Sequence, residues 1–244
     1  MTLTILDHPS PNHDARADGV PVDMLVLHYT GMPSGAEALA RLCDPAAKVS
    51  AHYMIEEDGR VFCLVPESRR AWHAGVSCWR GQRDINARSI GIELVNPGHE
   101  FGYRDFPAEQ MAALIDLTRQ ILDRHAIPAR NVVGHSDVAP ARKTDPGERF
   151  DWPALANAGI GLWPHRLGAR TPRFTQGDAH PAIAEAQRLL ARYGYEVPDS
   201  GVLDDATAAV LRAFQRHFRP TPIDGCLDAD CQARLRALVV LAKA

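Results

Sequence analysis

Apolar residues fill some short runs of this chain and recur every third or fourth position in longer ones. Residues 24–30, Met-Leu-Val-Leu-His-Tyr-Thr, predict a buried strand that Gly31 and Pro33 bring to an end. Within 51–65, two runs with strand character flank Asp58-Gly59, a dipeptide that favours a tight hairpin turn. Across 89–95, Ile90, Ile92 and Leu94 share one strand face, and Glu93 points to the other. The period then changes. From Pro107 to His125, residues Met111, Leu114, Ile115, Thr118, Ile121 and Leu122 form a helical stripe behind a proline suited to a first turn. A short strand, Asn131-Val132-Val133, runs into Gly134-His135. Strands interleaved with helices predict an α/β fold, a mixed central sheet flanked by helices.

Beyond Trp163-Pro164 the pattern breaks. Residues 164–178 hold Pro164, Gly168, Pro172 and Gly177 without periodicity and read as a linker. Three helical patterns follow, at 181–193, 205–218 and 229–242. Ser200-Gly201-Val202-Leu203-Asp204 is echoed 24 residues later by Asp224-Gly225-Cys226-Leu227-Asp228, each ending in an aspartate placed to cap the next helix. The expected division is a main domain over 1–163, a linker over 164–178 and a small three-helix domain over 179–244. So small a bundle buries a modest core, which suits a binding module better than a second enzyme.

Charge and cysteine usage narrow the class. A net charge of −3 offers no electrostatic basis for nucleic acid or an anionic membrane as partner. No apolar run approaches the roughly 20 residues that span a bilayer. The first residues lack the basic start, apolar core and small-residue cleavage site of a secretory signal. Cys43, Cys63, Cys78, Cys226 and Cys231 are odd in number and contain no Cys-x-x-Cys pair, so they read as free thiols in a reducing compartment. The expectation is a cytoplasmic protein; the alternative is the periplasm or envelope, if a signal was removed or lies upstream.

Candidate chemistry concentrates in the segment from Gly134 to Gly147, which follows a strand and reads as a loop. His135 and Asp145 are ligand types of catalytic zinc, which takes three protein ligands and keeps a fourth position open. His28, at the end of the first central strand, is the candidate third ligand. Its other reading is a core histidine sharing a face with Met24 and Val26.

Five segments in order carry a family resemblance: Val26-Leu27-His28-Tyr29-Thr30, Ser50-Ala51-His52-Tyr53, Ala71-Trp72-His73-Ala74-Gly75, Ser89-Ile90-Gly91-Ile92-Glu93-Leu94, and Gly134 through Gly147. Over roughly residues 20–160 the chain resembles the type 2 N-acetylmuramoyl-L-alanine amidases. The resemblance implies zinc held by His28, His135 and Asp145, with Glu93 as acid–base residue and Lys143 as stabiliser of an oxyanion. It places Tyr29, His52, Trp72 and His73 around the substrate. Other readings stay open: a structural histidine for His52, core packing for Trp72, and for Lys143 an ion pair with Asp137 or Asp145. Between Trp79 and Arg88 the match is looser, and Ile85-Asn86 stands where recycling members often carry a cysteine-asparagine pair. The C-terminal stretch, with Tyr193-Gly194-Tyr195, Phe214-Gln215 and Asp224-Gly225, resembles a three-helix peptidoglycan-binding module.

The implied reaction is hydrolysis of the amide between N-acetylmuramic acid, the 1,6-anhydro form included, and L-alanine of the stem peptide. The implied partners are peptidoglycan or its anhydro-muropeptide fragments. A non-catalytic recognition protein on the same fold is disfavoured, because every ligand-type position is filled. A zinc deaminase is disfavoured by the lack of a His-x-Glu with a Pro-Cys-x-x-Cys partner. A metallopeptidase would use the same metal chemistry and separates only by its products.

Overall fold

The computed structural model describes residues 3–164 and 172–243, so residues 165–171 of the expected linker lie outside the described residues. In chain order, β1 (Ile5–Asp7), β2 (His13–Ala15) and β3 (Met24–Tyr29) lead to helix α1 (Gly35–Cys43). Strands β4 (Tyr53–Ile55), β5 (Val61–Cys63) and β6 (Arg69–Ala71) precede the short α2 (Ile85–Arg88) and β7 (Ser89–Leu94). Next come α3 (Gly98–Phe101), the long α4 (Ala108–Arg124), β8 (Val132–Gly134), α5 (His135–Val138) and α6 (Trp152–Asn157). The C-terminal part holds β9 (Arg173–Phe174), α7 (Pro181–Tyr193), α8 (Asp205–Phe218), β10 (Leu227–Asp228) and α9 (Ala229–Leu241).

Six strands form the main sheet in the order β1-β5-β4-β7-β3-β8. The hairpin pair β4–β5 is antiparallel, whereas β4–β7, β7–β3 and β3–β8 are parallel, so the sheet is mixed as expected. The parallel strands all end at one edge, the side of such a sheet where ligands bind. Register matters here: His28 and Glu93 are direct partners across β3 and β7, so both side chains leave the same face.

One sheet face packs against α4 and α6 through Leu25, Leu27, Ile90, Ile92 and Leu94 on the strands and Leu114, Leu117, Ile121, Trp152 and Leu155 on the helices. Gln110 of α4 is buried and donates from Nε2 to the carbonyls of Ile55 and Val95, closing the ends of β4 and β7. The opposite face has a different cover. Met24, Val26 and Val133 belong to one continuous core with Ile183, Leu190, Tyr193, Phe214 and Phe218 of the C-terminal helices, and Trp79 and Ile85 lie in the same core. The helices sought at 181–193, 205–218 and 229–242 are present almost to the residue, and Asp204 and Asp228 cap α8 and α9 by accepting from the Thr207 and Cys231 amides, each at 2.8 Å. Their apolar stripes reach beyond their own bundle.

Glu67 ties this frame together at low exposure. It accepts from Tyr53 Oη at 2.7 Å, from the Arg124 guanidinium at 2.6 Å and from His125 Nε2 at 2.7 Å. Burial alone would raise its pKa, but the bonds from Arg124, Tyr53 and His125 outweigh this and bring it down to about 2. A depressed carboxylate contributes stability above its unfolded pKa and loses it as pH falls through the folded value. We therefore expect Glu67→Gln to cost about 1–2 kcal/mol at pH 7, after allowance for solvent screening. The difference from wild type should shrink progressively below about pH 4.5. Urea denaturation as a function of pH checks this; a pH-independent difference would refute it.

Candidate metal centre and active-site cleft

At the C-terminal ends of β3, β7 and β8 lies a cleft of about 530 Å³. His28, Tyr29, Trp72, His73, Glu93, His135, Lys143 and Asp145 all line it. His28 ends β3. His135 follows directly from β8, whose Gly134 pairs with Leu27 one position before His28. Asp145 is brought back to them because its carbonyl accepts from the Ser136 amide at 2.9 Å. Where the sequence reads a loop, the first turn after β8 is helical, α5. The Asp137 carboxylate causes this by accepting the Gly134 amide at 2.7 Å.

Three ligand-type atoms converge. His28 Nδ1 lies 3.0 Å from His135 Nδ1 and 3.0 Å from Asp145 Oδ2, and His135 Nδ1 lies 3.1 Å from the same oxygen. Tetrahedral zinc bonds of 2.0–2.1 Å set ligand atoms about 3.3 Å apart, so the spacing fits. His28, His135 and Asp145 are also the one group of three or more metal-type side chains found among the described residues.

The hydrogen bonds behind the ligands decide which imidazole nitrogen faces the centre. Ser89 Oγ donates to the Ile85 carbonyl at 2.7 Å, so it accepts from His73 Nε2 at 3.0 Å. His73 Nδ1 must then accept, and His28 Nε2–H donates to it at 3.0 Å. That chain leaves the lone pair of His28 Nδ1 for the centre. His135 Nε2–H donates to the Ala74 carbonyl at 3.1 Å, which frees its Nδ1 in the same way. Such partners fix the tautomer and orientation of metal-ligating histidines. Burial, then the neighbouring His135, pushes His28 down to about 4, which keeps it neutral as a ligand requires. Burial alone would raise the Asp145 carboxyl, but His135 and His28 hold it far below the usual range.

Glu93 is the second carboxyl group of the centre. Its Oε2 is buried and has no hydrogen-bond partner. Burial, reinforced by the Asp145 carboxylate and opposed by Lys143, pushes its carboxyl well above the ordinary range. The ion-pair reading of Lys143 finds no support, since Asp145 faces the two histidines and Asp137 is bonded elsewhere. Tyr29 Oη lies 2.9 Å from His99 Nδ1 and 3.0 Å from Thr144 Oγ1 at the cleft wall.

The substrate-contact expectation for His52 requires correction. This side chain is fully buried, does not line the cleft, and accepts the Gly91 amide at Nδ1 over 3.0 Å. It is held beneath His73 because both Arg16 and the Arg69 carbonyl meet its Nε2. Gly91 itself has a steric cause: a β-carbon there would sit 2.5 Å from the His73 ring. The sequence also conceals the role of Asn86. Its Oδ1 accepts the amides of His73 and Ala74 at 3.1 and 2.8 Å, which sets the segment behind His28 and His135. Arg16 binds the Asn86, Ala87 and Ser89 carbonyls from some 70 residues away, and no local pattern announces that contact.

A mixed sheet carrying a buried His-His-Asp group that could hold a metal, beside a glutamate oxygen without a partner at its parallel-strand edge, defines a hydrolase type of site. The chain belongs to the N-acetylmuramoyl-L-alanine amidase family, which matches residues 18–148, and it is an enzyme of that activity. A peptidoglycan binding domain family matches residues 179–235. The chain is 42% identical over 234 residues to the N-acetylmuramoyl-L-alanine amidase AmiD of Escherichia coli K12, covering 89% of this chain and 82% of that protein. With the 1,6-anhydro-N-acetylmuramyl-L-alanine amidase AmpD of the same strain it shares 40% identity over 161 residues, 59% of this chain and 86% of that one. Among solved structures, AmiD from E. coli in complex with anhydro-N-acetylmuramic acid-L-Ala-D-gamma-Glu-L-Lys superposes with a TM-score of 0.78 at 38% identity, covering 92% of each chain. AmpDh3 from Pseudomonas aeruginosa gives 0.79 at 36% identity, covering 93% of this chain and 96% of that one. No described helix is long and apolar enough to cross a membrane.

Proposed function

We propose that the enzyme is zinc-dependent, that His28, His135 and Asp145 hold the metal, and that it releases the stem peptide from 1,6-anhydro-N-acetylmuramyl fragments in cell-wall recycling. The observation that carries this is the convergence of two Nδ1 lone pairs and one carboxylate oxygen beside a glutamate oxygen with no partner. Acceptors packed this closely call for a cation between them. Bound there, zinc would supply Lewis-acid charge for the lactyl carbonyl and an acidified water.

The chain's own residues supply the rest. Glu93 takes the proton of the attacking water at its free carboxylate oxygen and delivers it to the departing alanine nitrogen. Lys143 offers positive charge at the cleft wall for the oxyanion of the tetrahedral intermediate, a contribution of roughly 3 kcal/mol for one such donor. Tyr29 and Trp72 shape the wall, and Arg41 and Lys48 line the same cleft, where they complement the carboxylates of a stem peptide. The substrate named for the AmiD complex, a muramyl peptide in anhydro form, has this chemistry. We assign 1–163 to catalysis, 164–178 to the connection, whose last residues include β9 paired with β10 of the C-terminal part, and 179–244 to the peptidoglycan-binding-like part. All five cysteines stand unpaired, which supports a reducing compartment and the cytoplasm.

Mass spectrometry of products from anhydro-muropeptides and, separately, from intact sacculi tests the reading, with a chelated control beside each. Free peptide beginning with L-alanine, formed from the soluble fragments and only with metal, is the expected result. Preferential release from sacculi would move the enzyme to the envelope. Cleavage within the peptide, or none at all, would defeat the proposal.

A further inference from the structure

Asp137 sits two residues beyond the ligand His135, is 1% exposed and does not line the cleft. Each of its oxygens is occupied. Oδ1 accepts from Tyr195 Oη at 2.5 Å, and Oδ2 accepts both the Gly134 amide and His217 Nδ1 at 2.7 Å. Tyr195 and His217 belong to the C-terminal helical part, lie 58 and 80 residues away in sequence, and are 2% and 3% exposed. His217 is held flat between two rings, stacked on Trp152 at 3.6 Å and on Phe218 at 3.8 Å between centroids. Tyr195 packs edge-on against Trp79 at 5.1 Å. These contacts leave the two donors little freedom.

We propose that Asp137, clamped by Tyr195 and His217, is a positioning residue for His135 and Asp145, so that the C-terminal helices set the affinity and geometry of the metal centre. Helix α5 is four residues long. A single turn is unstable in isolation. Its orientation depends on what fastens it, and the Asp137 carboxylate fastens the amide of its N-cap residue, Gly134. The Ser136 amide, inside the same turn, holds the Asp145 carbonyl, so a shift of α5 moves two of the three candidate ligands together. Relatives such as AmpD, which match only 59% of this chain, indicate that the chemistry itself does not require the clamp. Its contribution here is therefore one of tuning. The inference rests on the proposed ligand set, and the first measurement below tests that set by itself.

The full-length protein is titrated with zinc against a chromophoric chelator, and its cobalt(II)-loaded form is examined by visible absorption. Wild type should bind one equivalent; no binding would overturn the ligand set and the clamp with it. Tyr195→Phe removes one hydroxyl, and His217→Phe removes the donor while keeping an aromatic ring in the stack. Each is expected to weaken zinc affinity about tenfold, the lower end of what outer partners of a metal site contribute, and to shift the cobalt ligand-field bands. His217→Asn, which returns a donor near the place of Nδ1, should recover most of the affinity despite losing the stack. Melting of the metal-free proteins runs in parallel. Variants that melt lower yet keep wild-type zinc affinity and cobalt spectrum would overturn the proposal and reduce Tyr195 and His217 to adhesive between two parts of the chain.

Discussion

Alanine at Asp145 should leave the protein unable to hold stoichiometric zinc, and turnover should disappear with the metal. Asp145 supplies the one anionic atom among the three that converge, and the two others are imidazole nitrogens 3.0 Å apart. Two neutral histidines alone bind zinc far more weakly than three ligands with a carboxylate. The loss should exceed the 10–100-fold typical of removing an outer partner. The substitution is also conservative for the surroundings, because the Asp145 backbone carbonyl, which holds Ser136, remains. Elemental analysis after dialysis checks it. Full occupancy in the alanine variant would remove Asp145 from the ligand set.

Glutamine at Glu93 should do the reverse, keeping zinc while lowering kcat by about 10²–10⁴-fold, the usual contribution of a positioned acid–base group. The pH dependence carries a sign. Burial first, then Asp145, raises the Glu93 carboxyl, whereas Lys143 and a bound cation lower it, and the acidic limb of the wild-type rate profile should follow the resulting Glu93 ionisation. The residual activity of Glu93→Gln should lack that limb. Stability should move oppositely. A carboxyl with a raised folded pKa disfavours the folded state once pH exceeds its unfolded value, so the metal-free glutamine variant should melt higher than wild type at pH 7. A variant with wild-type kcat would exclude Glu93 as the proton carrier.

Both results depend on a site whose parts differ in how far the sequence reveals them. His28 and Glu93 are legible because strand alternation is local: each residue's face follows from its neighbours, and the pairing of β3 with β7 then sets them side by side. His135 and Asp145 are legible through ligand chemistry and the family resemblance. The supporting residues are not. Arg16, Asn86 and Ser89 act through backbone carbonyls, amides and one hydroxyl of distant segments, contacts that leave no periodic trace. His52 misleads for a related reason: its motif position places it near the centre, but only packing reveals that it lies behind His73, away from the cleft.

By itself the sequence determined the alternation of strands and helices, the caps at Asp204 and Asp228 and the set of metal-type side chains. All of these depend on residue type and short-range spacing, which a linear chain carries in full. Tertiary structure alone decided which nitrogen of each histidine faces the centre, which of the motif histidines stands behind another, and that the C-terminal helices complete the second face of the main sheet. Those outcomes depend on which distant groups meet. A histidine shows one nitrogen or the other according to its hydrogen-bond partner, and an apolar stripe does not specify the surface that will cover it.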